Sequence, residues 1–190
     1  SCPAGESSDA TGASECSACP KGTYKGAGSG VCIDCGVGTY APETGQSSCL
    51  LVDGGNFVDS EGASGQVPCD VGRYSGSGAS ECEACSPGTF TSLQGQSSCA
   101  LVSAGAYVKD FGSSAERACA EGKYSASGAE SCSECAAGFF AAEEGQSACS
   151  IADAGSHVPG KGASSLTPCP AGSFSGSGAT ACEDCSPGTF

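Results

Sequence analysis

Residues 69–118 read CDVGRYSGSGASECEACSPGTFTSLQGQSSCALVSAGAYVKDFGSSAERA, and this stretch decides the fold. CDVGRY (69–74) and CSPGTF (85–90) share the frame Cys-x-x-Gly-x-aromatic. VSAGAY (102–107) repeats it with Val in the first place, and CAEGKY (119–124) begins the cycle again fifty residues on. Outward from there the register never slips. Cys32, Cys35 and Cys49 recur as Cys82, Cys85 and Cys99, then as Cys132, Cys135 and Cys149, while Cys69, Cys119 and Cys169 complete the frame. Units of 16 or 17 residues begin at 2, 19, 35, 52, 69, 85, 102, 119, 135, 152, 169 and 185. Gly holds the fourth place in all twelve, and ten of the twelve aromatics hold the sixth. A fixed aromatic slot is a packing position. The organisation is a first unit, 2–18, three fifties, 19–68, 69–118 and 119–168, and a partial repeat, 169–190.

A Gly that admits positive φ, followed by an aromatic and a second Gly about six residues later, predicts a small looped hairpin per unit. Gly and Ser interrupt every stretch and no 3.6-residue apolar period appears, which excludes helix. Leu, Ile, Val and Phe number 23, about 12% of the chain, below the roughly 20% at which a strongly charged chain is expected to stay disordered. Seventeen cysteines must therefore hold what apolar burial cannot, and bridges in that number imply an oxidising, extracellular compartment. Each unit can bury surface only against its neighbours. The predicted fold is small, disulfide-rich and all-β, an elongated rod of stacked β-loop units in a fifty-residue repeat.

The gaps in the cysteine pattern predict the pairing. Units opening at Val52, Val102 and Ala152 lack the first Cys, and they also lack the closing one, having Gln66, Glu116 and Leu166 instead. The unit at 2–18 has the same phase and keeps both, Cys2 and Cys16. Partners that disappear together are bonded to each other. The expected bonds are Cys2–Cys16, Cys19–Cys32, Cys35–Cys49, Cys69–Cys82, Cys85–Cys99, Cys119–Cys132, Cys135–Cys149 and Cys169–Cys182. Each closes a loop of about 15 residues, worth about 3 kcal/mol in a chain-entropy account. Cys185 is left over, with its expected partner beyond Phe190.

Other chemistries fit less well. Cys16-x-x-Cys19 and Cys32-x-x-Cys35 have zinc-ligand spacing, but two such half-sites would strand Cys49 and Cys69 in every fifty. Redox catalysis by CxxC needs a low-pKa thiolate at a helix start, and no helix is expected. His157 is the sole histidine and stands where Phe57 and Tyr107 stand in the other fifties, so it reads as a substituted packing residue. Asp53 and Asp153 lack the alternating loop of oxygen ligands that calcium requires. No catalytic, cofactor or metal residue is assigned, and the chain is expected not to be an enzyme.

A net charge of −14 and a pI near 4.1 argue against nucleic acid and anionic membrane as partners. No apolar run approaches the 18 or so residues of a membrane span. With neither Met nor a leader, the chain reads as a segment of a longer protein, so an anchor outside it stays open. Asn56 is followed by Phe57 and Val58, which is no sequon, whereas the Ser and Thr hydroxyls leave O-glycans open.

CSACPKGTY (16–24), CEACSPGTF (82–90) and CEDCSPGTF (182–190) resemble the ephrin-receptor-like cysteine-rich repeat and, more loosely, the first module of TNF-receptor cysteine-rich domains. The resemblance implies stacked small β loops closed by one bond each and brings no catalytic residues. Every third unit departs from it by lacking the bridge.

The expected function is structural: a stalk, matrix component or self-associating filament subunit at the cell surface or secreted. The alternative is a ligand-binding receptor ectodomain or adhesin. Six apolar residues bear on this, because Leu51, Leu101 and Ile151 precede the bridgeless units and Val58, Val108 and Val158 follow their aromatic slots. They form either a small internal core that replaces the bond or an exposed contact patch once per fifty.

Overall fold

The computed structural model describes residues 2–8, 15–28, 30–186 and 188. Among these the chain is all-β, with 22 two-residue strands paired into eleven antiparallel hairpins and no helix. Phe190, read into the aromatic slot, lies outside the described residues. The chain falls into two compact units, Ser1–Cys85 with Thr91–Cys99, and Ser86–Phe90 with Ala100–Phe190.

One hairpin explains the rest. In CSPGTF the Thr89 amide donates to the Ser86 carbonyl at 3.0 Å, closing a four-residue turn around Pro87 and Gly88. Gly88 has φ +77, and no residue other than Gly takes positive φ among those described, so the turn has the type II pattern. Proline fixes its first corner and glycine supplies the second. The Thr89 hydroxyl donates to the same Ser86 carbonyl at 2.7 Å, tightening the turn. The chain then runs Thr89–Phe90, loops back and returns as Ala100–Leu101, with Thr89 opposite Leu101 and Phe90 opposite Ala100.

Backbone hydrogen bonds carry the stacking. In the second compact unit, Gly88 donates to Val108 at 2.8 Å, Val108 to Ala129 at 3.1 Å, and Gly128 back to Val102 at 2.8 Å. In the first, Gly55 donates to Ser75 at 2.8 Å, Ser75 to Gln96 at 3.3 Å, and Gly95 back to Cys69 at 2.8 Å. Each hairpin is too short to be stable alone, and these links give its backbone groups partners on the next hairpin.

The core is narrow. In the first compact unit it runs through Cys19, Cys35, Val52, Cys69 and Cys85, and in the second through Val102, Cys119, Cys135 and Ala152, all fully buried. The residue after the aromatic slot completes it: Ala41 and Val58 in the first, Val108, Ala141 and Val158 in the second. The aromatics do not pack inward as expected. Tyr24, Tyr40, Phe57, Tyr74, Tyr107 and Tyr124 are half-buried, and Phe174 is exposed. A core in which backbones approach to hydrogen-bonding distance has room for Ala, Val, Ser or a disulfide sulfur, not for a ring.

Candidate functional site

Eight disulfides close within single units: Cys2–Cys16, Cys19–Cys32, Cys35–Cys49, Cys69–Cys82, Cys85–Cys99, Cys119–Cys132, Cys135–Cys149 and Cys169–Cys182. Their Cα atoms are 5.6–5.8 Å apart, at the mode for disulfides. Cys185 is unbonded. In this state the sulfurs of Cys16, Cys19, Cys32 and Cys35, the residues with zinc-ligand spacing, are paired covalently and are not thiolate ligands.

The bridgeless units are the places where the chain differs from itself. Val52, Val102 and Ala152 take the buried volume that a cysteine takes elsewhere. At the closing position Gln66 accepts from the Asp53 amide at 2.8 Å through Oε1, and its Nε2 donates to Asp53 Oδ2 at 2.7 Å. Glu116 accepts from the Ser103 amide at 2.7 Å. A side-chain clasp thus joins the closing position to the residue after the opening one, beside the place a disulfide takes in other units. Leu166 has no group with which to make one and is half-buried.

The six apolar residues separate into two groups. Val58, Val108 and Val158 are 3%, 3% and 0% exposed, so they are core residues and the expectation of a contact patch that includes them is corrected. Val108 packs with Val102 and Ala106 against Phe90. Leu51, Leu101 and Ile151 are 65%, 67% and 47% exposed. Their terminal carbons lie over Gly78, Gly128 and Gly178, where a Cβ would come within 3.2–3.3 Å. What stays exposed of the six is one aliphatic side chain in each fifty.

Residues 22–69, 72–119 and 122–169, together most of the chain, match the family described as tyrosine-protein kinase ephrin type A/B receptor-like. The chain belongs to the ephrin-receptor-like family. No curated protein matches it in sequence. It is a cysteine-rich tandem repeat of a kind typical of extracellular domains.

Two polar side chains in the slots of this ephrin-receptor-like array stand out. Tyr74 donates its hydroxyl to Glu83 Oε2 at 2.8 Å, across the pair Arg73–Tyr74 and Glu83–Ala84. That hydrogen bond, then the carboxylate's charge, then desolvation hold the Tyr74 pKa above the ordinary phenol value of 10.0. The neutral phenol is the form the fold favours. Its contribution to stability is complete below the ordinary phenol pKa and is lost as pH rises through the raised value. Glu83→Gln is expected to bring the Tyr74 ionisation back down towards 10.0, measured by phenolate absorbance against wild type; an unchanged curve would refute the cause assigned here.

His157, the other, is half-buried in the strand Ser156–His157, and its Nδ1 lies 3.2 Å from Cys182 Sγ. Ligand atoms of His157, Cys169 and Cys182 lie within 4.8 Å of one another, with the two sulfurs joined to each other. Packing alone, the role read from the sequence, does not describe this contact.

Proposed function

We propose that the chain is a structural, non-enzymatic module of an extracellular assembly, secreted or held at the cell surface. The observation that supports this reading is the sameness of the fifties. Gly5, Gly55, Gly105 and Gly155 each donate to the residue twenty places on, Lys25, Ser75, Ser125 and Ser175, at 2.8–3.0 Å. A binding site normally needs one place unlike the rest.

The test is in-register deletion of residues 19–68, 69–118 or 119–168, one at a time. Equivalent behaviour of the three deletions, in surface retention and in electron micrographs of the extracellular structures, is expected. The second reading, a receptor ectodomain, is favoured by the family match; under it a single deletion abolishes capture of a soluble extracellular ligand while the other two leave it intact.

Self-association belongs to the first reading. With 21 acidic residues against 7 basic, copies repel one another at long range, so contact through Leu51, Leu101 and Ile151 is expected to strengthen with salt. Light scattering across a salt series checks this, and assembly that weakens as salt rises would point to polar contacts instead.

A further inference from the structure

In four units the slot residue lies near the closing cysteine of the next. Ser7 Oγ is 3.1 Å from Cys32 Sγ, and Phe57 shares a concavity with Cys82 as Tyr124 does with Cys149. The bonds Cys69–Cys82, Cys119–Cys132 and Cys169–Cys182 occupy one place in successive fifties, preceded in that slot by Phe57, Tyr107 and His157. Of these three residues only His157 can bring a ring N–H to the sulfur.

We propose that Cys169–Cys182 is a thiol-exchange site, with Cys169 as the sulfur modified and His157 as the group that promotes departure of Cys182. An external small thiolate attacks Cys169 Sγ. The new S–S bond forms there, the Cys169–Cys182 bond breaks, and its electron pair leaves on Cys182 Sγ. That sulfur departs as a thiolate beside His157 Nδ1, already 3.2 Å away, which stabilises it in the tautomer or charge state that carries a proton on that nitrogen. Thiols that are better stabilised as thiolates leave faster, which fixes both the rate and the direction of attack. A second thiol can then release Cys169, so two thiols become one external disulfide and supply the two electrons that reduce the bond. The bond Cys135–Cys149, two units earlier, has Tyr124 in a concavity with its closing cysteine instead, and it serves as an internal reference.

The experiment treats the 190-residue chain with 2-mercaptoethanol under non-denaturing conditions, traps free thiols with iodoacetamide, and maps the peptides. The expected product carries mercaptoethanol on Cys169 and the alkyl label on Cys182. Phe and Tyr both occupy this slot elsewhere, so His157→Phe and His157→Tyr are expected to keep the fold. Each is expected to slow opening of Cys169–Cys182 about tenfold and to abolish the preference for Cys169, leaving Cys135–Cys149 unchanged. The proposal is overturned by an adduct chiefly on Cys182, or by a rate change below about twofold in both variants. A parallel change at Cys135–Cys149 in both variants also overturns it, since the effect would then be general loosening.

Discussion

Replacing Gly105 by alanine is expected to cost more than about 3 kcal/mol and to cut secretion of the folded chain sharply. Gly105 has φ +88, and a Cβ there would run into the carbonyl oxygen of Gly145. The residue cannot move aside cheaply. Its amide donates to Ser125 at 2.9 Å and its carbonyl accepts from Cys119 at 2.8 Å, so any shift breaks the stacking link or the hairpin closure. Two other glycines separate clash from strain. Gly145 also has positive φ, +74, but a Cβ on it would be 3.9 Å from Ala118 Cβ and 4.0 Å from Gly105 O. Alanine there meets backbone strain alone, about 1–2 kcal/mol. Gly76 has neither positive φ nor any neighbouring atom within 4 Å of the place a Cβ would take. Gly76→Ala should therefore be neutral or stabilising by about 0.4–1 kcal/mol through the unfolded chain. The expected order is Gly105 well above Gly145, and Gly145 above Gly76, read from local amide exchange. If Gly145→Ala proves as damaging as Gly105→Ala, close backbone approach is not what fixes glycine at the fourth position.

The period and the cysteine frame were legible because each depends on a residue type with few substitutes. A positive-φ turn requires glycine, and a covalent bridge loses both ends together, as Val102 and Glu116 illustrate. Burial was harder to read. The aromatic slot drew attention through size, yet the deeper position is the next residue, where polar types disguise the core. Ser75, Ser125 and Lys25 are 2%, 3% and 2% exposed. Each satisfies its polar group locally: Ser75 Oγ donates to the Asn56 carbonyl at 2.7 Å, Ser125 Oγ to Ala106 at 2.7 Å, and Lys25 Nζ to Cys2 and Pro3 at 3.1 and 3.2 Å. These acceptors come from a neighbouring unit, so composition within one unit could not reveal them. The same holds for His157, whose sulfur contact lies 25 residues away in sequence. The clasp at Gln66 and Asp53 was half visible, since Gln66 stood at the closing position, but nothing in the sequence tied it to Asp53.

The second large effect concerns what a bridge and a bridgeless unit each contribute. Removing Cys119–Cys132 as the double change to serine is expected to cost about 3 kcal/mol from the loop constraint. It also leaves a hydroxyl at position 119, which is fully buried, for about another 1–3 kcal/mol if no partner is found. The arrangement one unit earlier suggests a repair. There Val102 fills the buried place and Glu116 takes the Ser103 amide at 2.7 Å. Cys119→Val with Cys132→Glu copies that arrangement, and it should recover the burial loss while leaving the loop constraint unrecovered. Stability in a repeat array is local rather than two-state, so the measurement is amide exchange at Cys119 and Gly145. These amides donate to Gly105 and to Cys119, at 2.8 Å in each case, and so report the hairpin and its link to the next. The Val/Glu pair is expected to exchange more slowly than the Ser/Ser pair and faster than wild type. Equal exchange in the two variants would mean that Val102 and Glu116 do not stand in for a bond, and that bridgeless units are held by their neighbours alone.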